Sequence, residues 1–92
     1  MSVILIYRRY FMKRIEVISL DRIGLVSEIS NVIRRMNGNI ISHTANAGTD
    51  ENNISVSHFK ADVDFESPAE NETVSRRLRR IRNVKQVKIT DL

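Results

Sequence analysis

The spacing of apolar residues predicts an α+β domain of order βαββαβ, a four-stranded antiparallel sheet with two helices on one face. Three observations carry this. Four stretches rich in β-branched residues read as strands. Two apolar stripes recur at intervals of three and four residues, as helices require. Between the second and third strands lies a dense run of Gly, Asp and Asn that suits a hairpin turn.

Residues 14–20 (RIEVISL) form the first predicted strand. Asp21-Arg22-Ile23-Gly24 is a short polar break. Leu25, Ile29, Val32, Ile33 and Met36 then line one face of a helix. Asn37-Gly38 ends it, with Gly38 expected in the left-handed conformation past the C-cap. Residues 39–47 are the second strand, residues 48–53 (GTDENN) the turn, and residues 54–65 the third strand. On that strand Phe59, Ala61, Val63 and Phe65 alternate onto one face. Ser67-Pro68-Ala69-Glu70 reads as a capping box with proline at the first helical position. Val74, Leu78 and Ile81 give the inner stripe of the second helix, and residues 84–90 the fourth strand. Right-handed crossovers around a central hairpin fold this order into a ferredoxin-like sandwich. Phe59, Ile40, Leu25, Ile29, Ile33, Leu78, Ile81 and Val87 are the expected core. The fold hosts many functions and does not by itself select one.

A chain of 92 residues holds one domain and buries about 60–65% of its unfolded surface. Residues 12–92 are the expected domain, and residues 1–11 an N-terminal arm, an extra strand or a start-site extension ahead of Met12. At 41% hydrophobic and 28% charged, the composition is that of a globular protein rather than a disordered one. There is no cysteine, which excludes disulfides, thiolate metal sites and cysteine nucleophiles. The apolar run at residues 3–6 is too short to span a bilayer, and its arginines follow it rather than precede it as a secretory signal demands. A cytoplasmic protein with no membrane contact is the expectation.

The net charge of +4 is unevenly placed. Residues 48–66 carry one basic and five acidic residues, whereas residues 67–92 carry seven basic and three acidic ones. Arg76, Arg77, Arg79, Arg80, Arg82 and Lys85 form a basic stretch on the second helix and just beyond it. A nucleic-acid reader of this fold also needs aromatics on its central strands. The first strand has Ile15, Val17 and Ile18 in place of aromatics and the third has a single Phe59 amid Ser and His, so a solvated basic face is expected and nucleic acid is disfavoured as a partner.

Catalytic groups are few. With the turn centred between Asp50 and Glu51, His43 faces His58, and two imidazoles on neighbouring strands can begin a metal site. Asp62 and Lys60 are the nearest further candidates, and a lysine is a poor neighbour for a cation. The expectation is therefore no metal, no cofactor and no catalytic residue: the chain is not expected to be an enzyme. Gly24, Gly38 and Gly48 are the only glycines and build no nucleotide loop. The break at residues 21–24 is more informative. It joins a strand to a helix start, where free N–H groups favour an anion, and Gly24 removes a side chain from the path of a carboxylate. Asp21 as an ordinary helix N-cap, with Gly24 in a tight turn, is the alternative reading of the same residues.

From Met36 to Thr49 there is no charged residue. In this topology the second strand is a sheet edge, and bare edges recruit other strands unless charge, proline or a bulge protects them. The unprotected edge predicts pairing with a second copy in a homodimer or higher homo-oligomer.

Taken together, Asp21-Arg22-Ile23-Gly24-Leu25-Val26-Ser27-Glu28-Ile29, then Val32-Ile33, then Gly38-Asn39-Ile40, resemble the signature of ACT domains, roughly D-R-x-G-L-L-x-x-I followed by a turn and N-I. The likeness covers Met12 to about Leu92. Ile23 stands where many members have proline, which leaves the turn less rigid. The resemblance implies a regulatory module that binds an amino acid or another small effector and transmits the binding to an enzyme. Such domains occur in amino-acid biosynthetic enzymes, in regulatory subunits of acetohydroxyacid synthase and in stringent-response nucleotide synthetases. Family ligands lie between two domains, which implies Asp21, Gly24, Leu25 and Val26 from one subunit and Asn39 and Ile40 from another. Many members only assemble, so a ligand-free interaction domain is the alternative. The effector is expected to be an amino acid. With no second domain in the sequence, the module acts on a partner enzyme in trans or belongs to a longer chain.

Overall fold

The computed structural model describes residues 11–92. The elements are β1 (Met12–Leu20), α1 (Leu25–Arg35), β2 (Gly38–Thr49), β3 (Ser55–Phe65), α2 (Asn71–Arg79) and β4 (Val84–Asp91). The strands form one antiparallel sheet in the order β2-β3-β1-β4, with β2 and β4 as its edges among the described residues. This is the predicted ferredoxin-like arrangement. Among the described residues no helix is long and apolar enough to cross a membrane.

Period-two and period-3.6 patterns meet in a single core. Ile15 and Val17 of β1 and Phe59, Ala61, Val63 and Phe65 of β3 point to the helices, and Leu25, Ile29, Ile33, Val74 and Leu78 cover them. Ile81 is buried just past α2, while Ile40 and Val87 are partly buried against the same cluster. The predicted N-terminal arm lies outside the described residues except for Phe11. That side chain is buried in the core, and its carbonyl accepts the Phe65 N–H at 3.1 Å.

Three local expectations are corrected. First, the left-handed residue after α1 is Asn37, with φ 62°, and not Gly38. Gly38 is required by packing: a Cβ there would lie 2.7 Å from Ile33 Cγ2 and 2.8 Å from Val63 Cγ1. Gly38→Ala is expected to cost about 1–3 kcal/mol of stability by overpacking. The urea midpoint measures it, and an unchanged midpoint would mean that the core yields at this point.

Second, the capping box at Ser67 does not form. Helix α2 begins at Asn71, and its N-cap is Glu70, in an extended conformation with no side-chain cap bond. Residues 66–70 carry the chain from the sheet to the helix layer. They begin with the Glu66 N–H bonded to the Asn37 carbonyl at 3.2 Å, so the proline falls in the crossing rather than in the first turn.

Third, the hairpin turns later than expected. Asp50 accepts the backbone N–H groups of Asn52 and Ile54, each at 2.9 Å, and Asn53 adopts φ 64°. The turn is thus centred on Asn52, with Thr49 facing Ser55. His43 consequently pairs with Ala61 and His58 with Asn46. The two histidines lie on opposite faces of the sheet, and the His43–His58 pair is abolished. Among the described residues no group of three or more His, Cys, Asp or Glu is placed to hold a metal ion.

Candidate functional site

The β1–α1 loop is held from three sides. The Leu20 N–H donates to the Asn83 carbonyl at 2.9 Å and the Asp21 N–H to the Ser55 carbonyl at 3.2 Å. Arg22 pairs with Glu28 on the first turn of α1 and reaches the Arg82 carbonyl at 3.5 Å. Its Nε is buried without a partner among the described residues. Gly24 is the N-cap of α1, with φ 81° and ψ −1°, and no side chain caps the helix. Asp21 is exposed and is not the N-cap, which corrects the alternative reading of that residue. A Cβ on Gly24 would touch nothing within 4 Å, so glycine is needed there for its backbone angle and not for internal packing. Leu25 is buried and Val26 half-buried, whereas Ile23, the residue in the family's proline position, is fully exposed at 101%. The Leu25 N–H donates to the Arg22 carbonyl at 3.4 Å. The N–H groups of Val26 and Ser27 belong to the first turn and lie outside the intrahelical ladder.

Asn39 and Ile40 lie at the other end of the sheet. Leu20 pairs with Val56 beside the hairpin tip, whereas Asn39 pairs with Asp64 at the base. The 11 residues of α1, about 16 Å of helix, separate the two groups. A single chain therefore does not bring Asp21, Gly24, Leu25 and Val26 together with Asn39 and Ile40. The basal group instead lines a polar pocket of about 390 Å³ with Arg34, Asn37, Gly38, Asp64 and Glu66. Sequence reasoning missed Arg34, Asp64 and Glu66. Asp64 falls beside Asn39 on the open face through the hairpin register together with the one-residue bulge between Ile40 and Ser42, and the bulge has no signal in the sequence.

That open face is polar. Arg14 Nε donates to Asp62 Oδ1 at 2.8 Å; this bond holds the Asp62 carboxyl below its ordinary range and raises the guanidinium. At the sheet's end Lys13 Nζ donates to Asn71 Oδ1 and to Asp91 Oδ1, both at 2.6 Å, and the bond to Lys13 lowers the Asp91 carboxyl. In the turn, the Ile54 N–H lowers Asp50. Phe59 and Phe65 are in the core, so neither offers a ring to the open face. His43, on the helix side of β2, stacks on the Phe59 ring with centroids 5.7 Å apart. Arg76, Arg77 and Arg79 on α2 and its C-cap Arg80 are exposed, as the apolar stripe predicts.

The second strand is exposed from Ile41 to Thr49. A bulge between Ile40 and Ser42 turns Ile41 outward, 56% exposed. The edge thus carries one of the protecting devices that the sequence did not reveal, although it has no charge.

The family model for the ACT domain matches residues 8–88. A comparison with curated proteins finds no match. Among solved structures, the chain is similar to the ACT domain of a GTP pyrophosphokinase from Chlorobium tepidum. The identity is 19%, the coverage 87% of this chain and 97% of that one, and the TM-score 0.65. It is also similar to a formyltetrahydrofolate deformylase from Pseudomonas syringae pv. tomato, with 18% identity, 98% of this chain covered and a TM-score of 0.68. This chain spans only 30% of the length of that deformylase. A third likeness is to the P2 domain of the chemotaxis kinase CheA, in complex with CheY, from Thermotoga maritima. There the identity is 15%, the coverage 88% and 96%, and the TM-score 0.58. At these identities the solved structures support the sandwich alone, whereas the family model matches most of the sequence along its length: the chain belongs to the ACT domain family.

Proposed function

We propose that this domain senses a free amino acid at a junction between two copies of the chain and passes the binding to a partner enzyme, acting in the cytoplasm. The observation that carries this reading is the basal pocket. Arg34, Asn37, Asn39, Asp64 and Glu66 all line it. Groups of both signs suit a zwitterion, and about 390 Å³ lies within the range of small-molecule sites. The β1–α1 loop of the second copy would close the pocket. It would supply first-turn N–H groups at Val26 and Ser27, with Gly24 leaving the approach open and Asp21 at the rim.

A thermal-shift screen of the twenty amino acids tests the reading. One of them, at about 100 times its dissociation constant, should add roughly 2.7 kcal/mol. Gly24→Val also strains the left-handed N-cap, so the informative variants are Gly24→Asn, which tolerates that conformation, and Asn39→Ala. Both should keep the urea midpoint within about 1 kcal/mol of the parent and lose the amino-acid shift. No stabilisation by any amino acid would leave the second reading, a ligand-free assembly domain. That reading is favoured by the long exposed β2 edge.

A further inference from the structure

We propose that the groove between α1 and α2 binds a phosphoryl anion of at least two negative charges, held by Arg35, Arg77 and Arg80. This site is separate from the amino-acid pocket and does not depend on it. The three arginines line a cavity of about 230 Å³ together with the half-buried Val32. Arg35 comes from the last turn of α1, Arg77 from α2, and Arg80 is the C-cap of α2.

Arg14 is paired with Asp62, Arg22 with Glu28 and Arg79 with Glu72. Among the described residues no carboxylate pairs with Arg35, Arg77 or Arg80, and residues 1–10 contain no Asp or Glu that could serve. Arg34, Arg76 and Arg82 also have no ion pair among the described residues, and what sets Arg35, Arg77 and Arg80 apart is that all three line one cavity. Arg77 and Arg80 are three apart, a spacing at which like charges on a helix repel. Packing a third arginine from the neighbouring helix against them adds to that repulsion. A bound anion reverses its sign.

The residue type narrows the ligand. Arginine presents a planar fork that grips two oxygens of a phosphate or carboxylate at once. Three forks around one small cavity have more donors than a single carboxylate can satisfy, and a phosphoryl group offers enough oxygens. Val32 adds an apolar, half-buried wall to the groove, and charge attraction is stronger beside apolar surface than in open water. The volume is below that of a typical whole-ligand pocket, so the anionic group is what the groove holds. Inorganic diphosphate and the phosphate tail of a nucleotide share this chemistry. Among the described residues the aromatic rings of Phe11, Phe59 and Phe65 are all buried in the core and unavailable to stack on bases, so charge alone would draw a longer nucleic acid to the groove.

The test is calorimetric titration of the intact chain with inorganic pyrophosphate and, separately, with ADP, at fixed ionic strength. Saturable binding of one anion per chain is expected. Arg35→Gln and Arg77→Gln should each weaken it tenfold or more, and Arg82→Gln, which removes the same charge outside the groove, less than twofold. Glutamine suits a helix surface, and an unchanged urea midpoint confirms that the variants fold. Equal affinity for the two probes assigns the site to the anion alone, and tighter ADP binding assigns it to a nucleotide. Absence of saturation, or equal losses in all three variants, would overturn the proposal in favour of a solvated basic face. So would a single-stranded RNA that displaces pyrophosphate with a steep salt dependence while remaining indifferent to Arg35 and Arg77. Any amino-acid stabilisation should persist in Arg77→Gln, so failure here and failure of the amino-acid reading are separable.

Discussion

Phe59→Ala is expected to lower the unfolding free energy by about 3–5 kcal/mol, out of a total of roughly 5–15 for a domain of this kind. Phe59 is fully buried on the central strand β3, between Val17 of β1 and Ala45 of β2. Its ring also carries His43, so truncation removes both the filler of the core and the surface on which that imidazole rests. For a domain of this size each 1 kcal/mol shifts the melting temperature by about 4–8 °C, so the variant should melt well over 10 °C below the parent. Phe59→Leu, which keeps most of the volume, should lose much less. A chemical denaturation midpoint unchanged by Phe59→Ala would place the ring outside the core and overturn the sheet's facing.

The elements were legible because each has a strong period: Phe59, Ala61, Val63 and Phe65 at two, Leu25, Ile29 and Ile33 near 3.6. What was lost was register. GTDENN offers several turn-formers, and nothing in the order of residues says which one folds back on its own backbone. Asp50 does, by accepting the Asn52 and Ile54 N–H groups, and this moves the pairing by three residues. An odd shift exchanges faces and so created the false histidine pair, whereas beyond the bulge at Ile41 the shift is two, which set Asn39 opposite Asp62 in place of Asp64 on the same face. Gly24 was legible as a helix start because a strand ends and an apolar stripe begins around it. Gly38 was misread because close packing against Ile33 and Val63 is a tertiary fact without a local signature. The groove arginines were visible only as a basic run. That Arg35 joins Arg77 and Arg80 depends on how the two helices cross.

Ala45→Lys is expected to raise the dissociation constant of a homodimer by about 100-fold or more. An uncompensated buried charge costs several kcal/mol, and each 1.4 kcal/mol is tenfold. The choice of edge rests on the contrast between the two free strands. β4 carries Lys85, Lys88 and Asp91, whereas no charge occurs from Met36 through Thr49 on β2. Ala45 is exposed in the single chain, so lysine there should leave the monomer's stability within about 0.5 kcal/mol. Ile41→Lys should act in the same direction at the bulge, where an exposed isoleucine gains most from cover. Thr90→Lys, on the opposite edge, should leave association unchanged. Sedimentation velocity at tens of micromolar, with and without the stabilising amino acid, reads all three. A ligand that spans two copies binds only the assembled state, so it must tighten the parent's association by the same free energy that assembly adds to its own binding. A parent that sediments as a monomer under both conditions would defeat the edge-paired dimer. Dissociation by Thr90→Lys but not by Ala45→Lys would move the interface to β4 and leave the basal pocket without the loop that is meant to close it.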